Sequence, residues 1–92
     1  MVTAIILVRA ERSKVQDVAQ QLLDMHGITE VYSVAGAYDL VAIARVAENQ
    51  CLAELVTGSM GQVGGVTRTE TLIAFQSFSK FDLERMFSIG ME

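Results

Sequence analysis

The sequence predicts an α+β domain built on one antiparallel sheet, in the order β-α-β-β-α-β. Three observations predict it. Four segments are rich in β-branched and aliphatic residues and are bounded by glycines or charges. Two intervening segments carry apolar residues at helical spacing. The link between the second and third apolar segments is too short for a crossover and long enough for a hairpin.

The first strand is Val2 to Arg9, bounded by Glu11-Arg12-Ser13-Lys14. Alternate residues Val2, Ala4, Ile6, Val8 and Thr3, Ile5, Leu7, Arg9 define its two faces, and both are largely apolar. Such a strand belongs in the middle of a sheet, covered on both sides. Ser13 then offers an N-cap, with Gln16 in the capping-box position. Val15, Val18, Ala19, Leu22 and Leu23 follow as the apolar stripe of a first helix, and Gly27 closes it. Ile28 to Ala35 is the second strand, with Ile28, Val31, Tyr32 and Val34 apolar. Gly36-Ala37-Tyr38-Asp39 is a tight connection in which Gly36 can take a positive φ. Leu40 to Val46 is the third strand, again apolar on both faces. Asn49 can cap a second helix whose buried stripe is Leu52, Leu55, Val56 and Ser59/Met60, and the glycines at 58, 61, 64 and 65 end it. Val66 to Phe75 is the fourth strand. Residues 1–76 make the domain. Residues 77–92 form a tail with too many apolar side chains to stay free, expected to pack on its own domain or a neighbouring subunit, with a short helix over 80–87.

This order is the split βαβ, or ferredoxin-like, arrangement. Strands one and three are its central pair, and both helices lie on one face. The other face would expose an aliphatic patch larger than soluble monomers usually carry. Association through the sheet is therefore expected.

Composition removes whole classes of function. The chain has 92 residues, enough for one domain. Hydrophobic residues make up 51%, which excludes intrinsic disorder. One cysteine excludes a disulfide scaffold. No apolar run approaches the ~20 residues of a membrane span. The net charge of −4, without a basic block, argues against direct contact with nucleic acid. The N-terminus has no basic region and no small-residue cleavage site, and the lone cysteine fits a reducing compartment, so a cytoplasmic location is expected.

No catalytic constellation is visible, and neither a metal site nor a cofactor is expected. His26 stands alone at a helix end, where a solvated or capping histidine is the simpler reading. Cys51 has no neighbouring base and reads as a small buried hydrophobe. The glycine-rich stretch 58–65 lacks the Lys and Ser/Thr of a phosphate loop and follows a helix instead of preceding one. The five methionines read as gap-fillers.

Two features stand out. Gly36-Ala37-Tyr38-Asp39-Leu40 places an acid at a hairpin start. Asp39 can cap the turn through the backbone or accept a hydrogen bond from a ligand ammonium group, and residue types favour the turn role. Gly65-Val66-Thr67-Arg68-Thr69-Glu70-Thr71 puts threonines at alternate positions of a strand. They suit an edge strand by propensity, and their hydroxyls could also orient a small polar ligand.

Together these features resemble the effector-binding (RAM) domain of the Lrp/AsnC regulators. The resemblance runs from about Val2 to Phe75. It rests on the first strand, on the Gly-x-Tyr-Asp hairpin at Gly36, Tyr38 and Asp39, and on the Gly-Val-x-x-Thr-x-Thr stretch at Gly65, Val66, Thr69 and Thr71. The resemblance implies a ferredoxin-like homodimer of the dimeric α-β barrel type, assembling to an octamer or decamer. It implies a small effector, such as an amino acid, in a cleft between subunits, with ligand-binding residues Gly36, Tyr38, Asp39, Thr69 and Thr71. Ala37 stands where that family commonly has a polar residue. With a strand beginning at residue 2, no helix-turn-helix precedes the domain, so a stand-alone regulator is expected, acting through assembly or through association with full-length Lrp/AsnC proteins. The alternatives are a small dimeric ferredoxin-like enzyme, disfavoured by a single histidine and aliphatic helix stripes, and a purely structural assembly partner.

Overall fold

The computed structural model of the chain describes residues 1–78 and Lys80. The elements are β1 (Val2–Ala10), α1 (Val15–Leu23), β2 (Ile28–Ser33), β3 (Leu40–Val46), α2 (Asn49–Ala53) and β4 (Val66–Ile73). All strand pairings are antiparallel, in the order β2-β3-β1-β4. This is the ferredoxin-like arrangement, with β1 and β3 central as their two apolar faces require. The expected helix over 80–87, and the packing of the tail 77–92, fall almost wholly outside the described residues.

One face of the sheet holds the core. Ala4, Ile6 and Val8 of β1 and Leu40, Ala42 and Ala44 of β3 are buried with Val18 and Leu22 of α1 and with Leu52, Leu55 and Met60. Small alanines in the two central strands let the helices approach closely. Each fully buried Ile or Leu side chain contributes about 1.5–3 kcal/mol of transfer free energy. The register places Ile5 beside Ile43 and Leu72, and Leu7 beside Val41, on the opposite face. No described element covers that face, where Tyr32 and Leu72 are each about half exposed (50% and 47%).

Several local expectations are corrected. Ser13 does not cap α1: Arg12–Lys14 form a 3-10 turn, the helix begins at Val15, and no side chain caps it. The turn uses the backbone instead, with the Lys14 N–H donating to the Glu11 carbonyl (2.9 Å). Leu23 is exposed, because Val18 and Leu22 already face the sheet. Asn49 is the first residue of α2 and not its cap; extended Glu48 holds that position without a side-chain bond. Glycines 58 and 61 do not end the second helix. The chain continues from Ala53 through a wide π turn at Glu54–Ser59 and a 3-10 turn at Met60–Gln62. The Thr57 hydroxyl donates to the Ala53 carbonyl (2.6 Å) within this widened stretch, a side-chain bond that competes with the helical ladder. Cys51 is exposed, not buried. β2 stops at Ser33 and β4 at Ile73, each two residues short of expectation.

Gly27 and Gly65 hold positive φ values of 100° and 103°. Gly27 does not end α1 as expected: the helix stops at Leu23 with Asp24 at its C-cap, and Gly27 instead turns the chain into β2, where the Arg45 N–H donates to its carbonyl (2.7 Å). A Cβ on Gly27 would lie 2.9 Å from Val46 Cγ1. Left-handed backbone costs a side-chain-bearing residue roughly 1–2 kcal/mol. Gly27→Ala is therefore expected to destabilise the fold by at least about 1 kcal/mol in chemical denaturation. An unchanged midpoint would show that the turn can relax.

Candidate functional site

The hairpin loop between β2 and β3 is held over one end of the sheet. The Val34 N–H donates to the Asp39 carbonyl (3.0 Å), closing the loop on itself. The Asp39 N–H donates to the Val8 carbonyl (2.9 Å), which extends the β1–β3 ladder by one residue. Between Arg9 and Ala10 the register of β1 against β4 shifts, and the Ala10 N–H donates to Asp39 Oδ2 (2.9 Å). The neighbouring Glu11 N–H turns to the Gly65 carbonyl on the β4 side, so the Ala10 N–H faces the other way, past the start of β3, and the carboxylate satisfies a part-buried donor that β3 does not reach. Asp39 thus does cap backbone, though across strands and not within its own turn. Its second carboxylate oxygen has no partner among the described residues.

Gly36 has φ 141°, and a Cβ there would meet nothing within 4 Å. Its need for glycine is conformational, not steric. Tyr38 lies on the open face: its hydroxyl donates to Glu70 Oε2 (3.1 Å), and the Arg9 guanidinium carbon sits 6.0 Å from its ring centre. Arg9 Nε and a terminal guanidinium nitrogen both donate to the Ala37 carbonyl (3.1 and 2.7 Å).

Thr69 and Thr71 pair with Val8 and Ile6, so their side chains stand on the helix-side face of β4. β4 is an edge strand, and both residues are half-buried. Neither hydroxyl has a partner among the described residues. Thr67, by contrast, donates its hydroxyl to the Arg9 carbonyl (3.1 Å). Gly36, Tyr38, Asp39 and Thr69 therefore gather at one end of the sheet, Thr71 lies opposite Ile6 near the middle of β1, and the five divide between the two faces. Tyr38 is on the open side and the two threonines are on the other, with Asp39 at the end of β1 between them.

Two concavities lie elsewhere. One of about 670 Å³ sits on the open face at the opposite end of the strands, lined by Thr3, Ile5, Tyr32, Ile43, Arg45 and Phe75 among others. Beside it the Tyr32 hydroxyl donates to Glu30, and that bond, with the carboxylate charge, holds the phenol above its usual pKa. The other, about 270 Å³, lies between the α1 connection and α2, lined by His26, Cys51 and Glu54 among others. Among the described residues, no group of three His, Cys, Asp or Glu side chains could hold a metal ion. Also among them, no helix is long and apolar enough to cross a membrane. Arg9 and Glu70 carry no local sequence signal as site residues. Their partners are 28 and 32 positions away, which no local pattern reveals.

Among the described residues, the ferredoxin-like sheet carries a Gly-x-Tyr-Asp hairpin held over the end of β1 and two threonine hydroxyls without partners on an edge strand. The chain matches the Lrp/AsnC ligand binding domain over residues 3–82, and it belongs to that family. It is 30% identical over 76 residues to an uncharacterized HTH-type transcriptional regulator of Pyrococcus horikoshii, covering 79% of this chain and 51% of that protein. The chain thus spans about half the length of the curated relatives it matches. The crystal structure of a Thermus thermophilus protein, TTHA0845, superposes with a TM-score of 0.82 at 39% identity, covering 87% of this chain and all of that one. A feast or famine regulatory protein from M. tuberculosis, solved in complex with L-methionine, gives a TM-score of 0.74 at 25% identity over 87% of this chain and 54% of its own.

Proposed function

We infer that the chain is a non-enzymatic regulatory domain that binds an amino acid in a cleft completed by a second copy of itself. One observation carries this reading. Groups suited to a zwitterion stand without partners among the described residues: at one end of the sheet the second oxygen of Asp39 for an ammonium group and the hydroxyl of Thr69 for a carboxylate or amide, with the hydroxyl of Thr71 further along the same face of β4. Neither of the two concavities described above is lined by them, so another surface must close the site. The L-methionine held by the related M. tuberculosis protein supports an amino acid as the effector class.

In this reading the open face of β1 and β3 pairs with its equivalent into a homodimer, and dimers assemble further into a ring of octamer or decamer size. Regulation then acts through the assembly, or through mixed assembly with full-length Lrp/AsnC proteins, in the cytoplasm and without direct contact to nucleic acid.

Titrating the L-amino acids in a thermal-shift assay tests the proposal. A ligand bound only by the folded state adds about 2.7 kcal/mol when present at a hundredfold excess over its Kd. At least one amino acid is expected to raise the melting temperature at millimolar concentration, and a flat response to all of them would refute the reading. Thr69→Val should then weaken that ligand about tenfold, the worth of one hydrogen bond, with the unliganded melting temperature unchanged.

A further inference from the structure

Arg9 ends the open face of β1, in line with Thr3, Ile5 and Leu7. Register places Arg68 of β4 directly across from it. Like charges in directly opposed positions repel, so the pair is not there to stabilise the sheet. The Arg9 guanidinium also forms no ion pair among the described residues. It turns instead to the hairpin loop, where two of its N–H donors converge on the Ala37 carbonyl and its plane approaches the Tyr38 ring. Tyr38 passes the connection to Glu70 on β4. On the other side of the same strand end, the Arg9 carbonyl accepts from Thr67, and the neighbouring Ala10 N–H is held by Asp39.

We propose that Arg9 is the positioning residue of the effector hairpin: its guanidinium sets the placement of Ala37 and Tyr38, and so transmits the state of the sheet's open face to the ligand-binding loop. This rests on the effector reading above and deepens it. Arg9 grips only the backbone of residue 37, so an alanine there loses nothing. Position 9 needs arginine, because a planar fork can reach one carbonyl with two donors while its charge sits 6.0 Å from a ring centre, and lysine cannot. One strand can in this way serve two surfaces. Ile5 and Leu7 belong to the face that a second copy would cover, and two residues further on the same strand holds the loop that would close on the ligand.

Native-state hydrogen exchange, read together with ligand titration, tests this on the full chain with the variants Arg9→Lys and Tyr38→Phe. In Arg9→Lys the Asp39 and Val34 amides of the hairpin should exchange about tenfold faster, as for the loss of one net hydrogen bond to a charged group. The Ala42 and Ala44 amides of β3, which open only with the whole domain, should accelerate by no more than that factor. Tyr38→Phe cuts only the Glu70 link, so Asp39 should stay closer to wild type there. Unchanged hairpin exchange in Arg9→Lys overturns the proposal. Acceleration larger at Ala42 and Ala44 than at the hairpin overturns it as well, because Arg9 would then be holding the sheet and not the loop. With L-methionine as the probe, the concentration giving half of the thermal shift, measured from each variant's own unliganded melting temperature, should rise in Arg9→Lys by the factor by which the ligand-competent hairpin placement is depleted. If the wild type responds to no amino acid, the effector reading fails, while the exchange contrast still decides the role of Arg9.

Discussion

Ile5→Glu is expected to reduce the protein to a monomer without unfolding it. Ile5 is the centre of the open face, with Ile43 on one side and Leu72 on the other. Its side chain points away from the helices, so the core formed by Ile6 and its neighbours is untouched. If two sheets pack through this face, the substitution brings two carboxylates into a desolvated apolar layer. Each unpaired charge there costs several kcal/mol after relaxation, more than most interfaces can absorb. Light scattering would show the wild type as a dimer or larger and the variant at monomer mass, with its circular dichroism preserved. A wild type that is already monomeric, or a variant that keeps the wild-type mass, would remove the sheet face as the interface.

One position along the strand the expectation reverses. Ile6 is fully buried on the helix side, opposite Ala42 and Thr71. Ile6→Ala should cost about 2–5 kcal/mol, the transfer term plus the cavity left behind. A domain of this size has roughly 5–15 kcal/mol in total, so the variant should lose a large share of its stability. Denaturant midpoints compared at one protein concentration would measure it, since assembly makes stability depend on concentration. A loss below about 1 kcal/mol would mean that α1 and α2 can collapse into the gap.

The contrast between Ile5 and Ile6 shows what kind of information the sequence held. Strict alternation of apolar residues on both faces of Val2–Arg9 and Leu40–Val46 placed these strands at the centre and exposed the missing cover, because side-chain period and burial are linked directly. The hairpin was legible for the same reason: Gly36 is where the backbone needs a positive φ. Helix termini were less so. Ser13 and Asn49 have capping chemistry, but Ser13 falls inside a 3-10 turn and Asn49 is already the first residue of α2, so neither stands at the cap position. Gly58 and Gly61 look like stops, yet the buried anchors Leu55 and Met60 carry the helical chain past them. The site was half legible. Asp39 and the threonines of the candidate site stood out as residue types in the sequence. Their division between two faces was not, because it depends on the pairing of β4 with β1. The role of Arg9 was hidden for a further reason: a charged residue at a strand end reads as a boundary until the loop it holds is in place.

The central position of β1 also bears on how quickly the chain can find its structure. Ala4 pairs with Ala44 on one side and Ile73 on the other, so β1 must wait for β4, far later in the chain, before its ladder is complete. Contacts between distant parts of a chain slow folding, and mixed α/β domains of this kind fold more slowly than helical bundles. During that wait the aliphatic faces of β1 and β3 are open on both sides, a condition that favours off-pathway association at high concentration. Dilution should therefore raise the yield of refolding, even though the native protein is itself an association product in the reading proposed above.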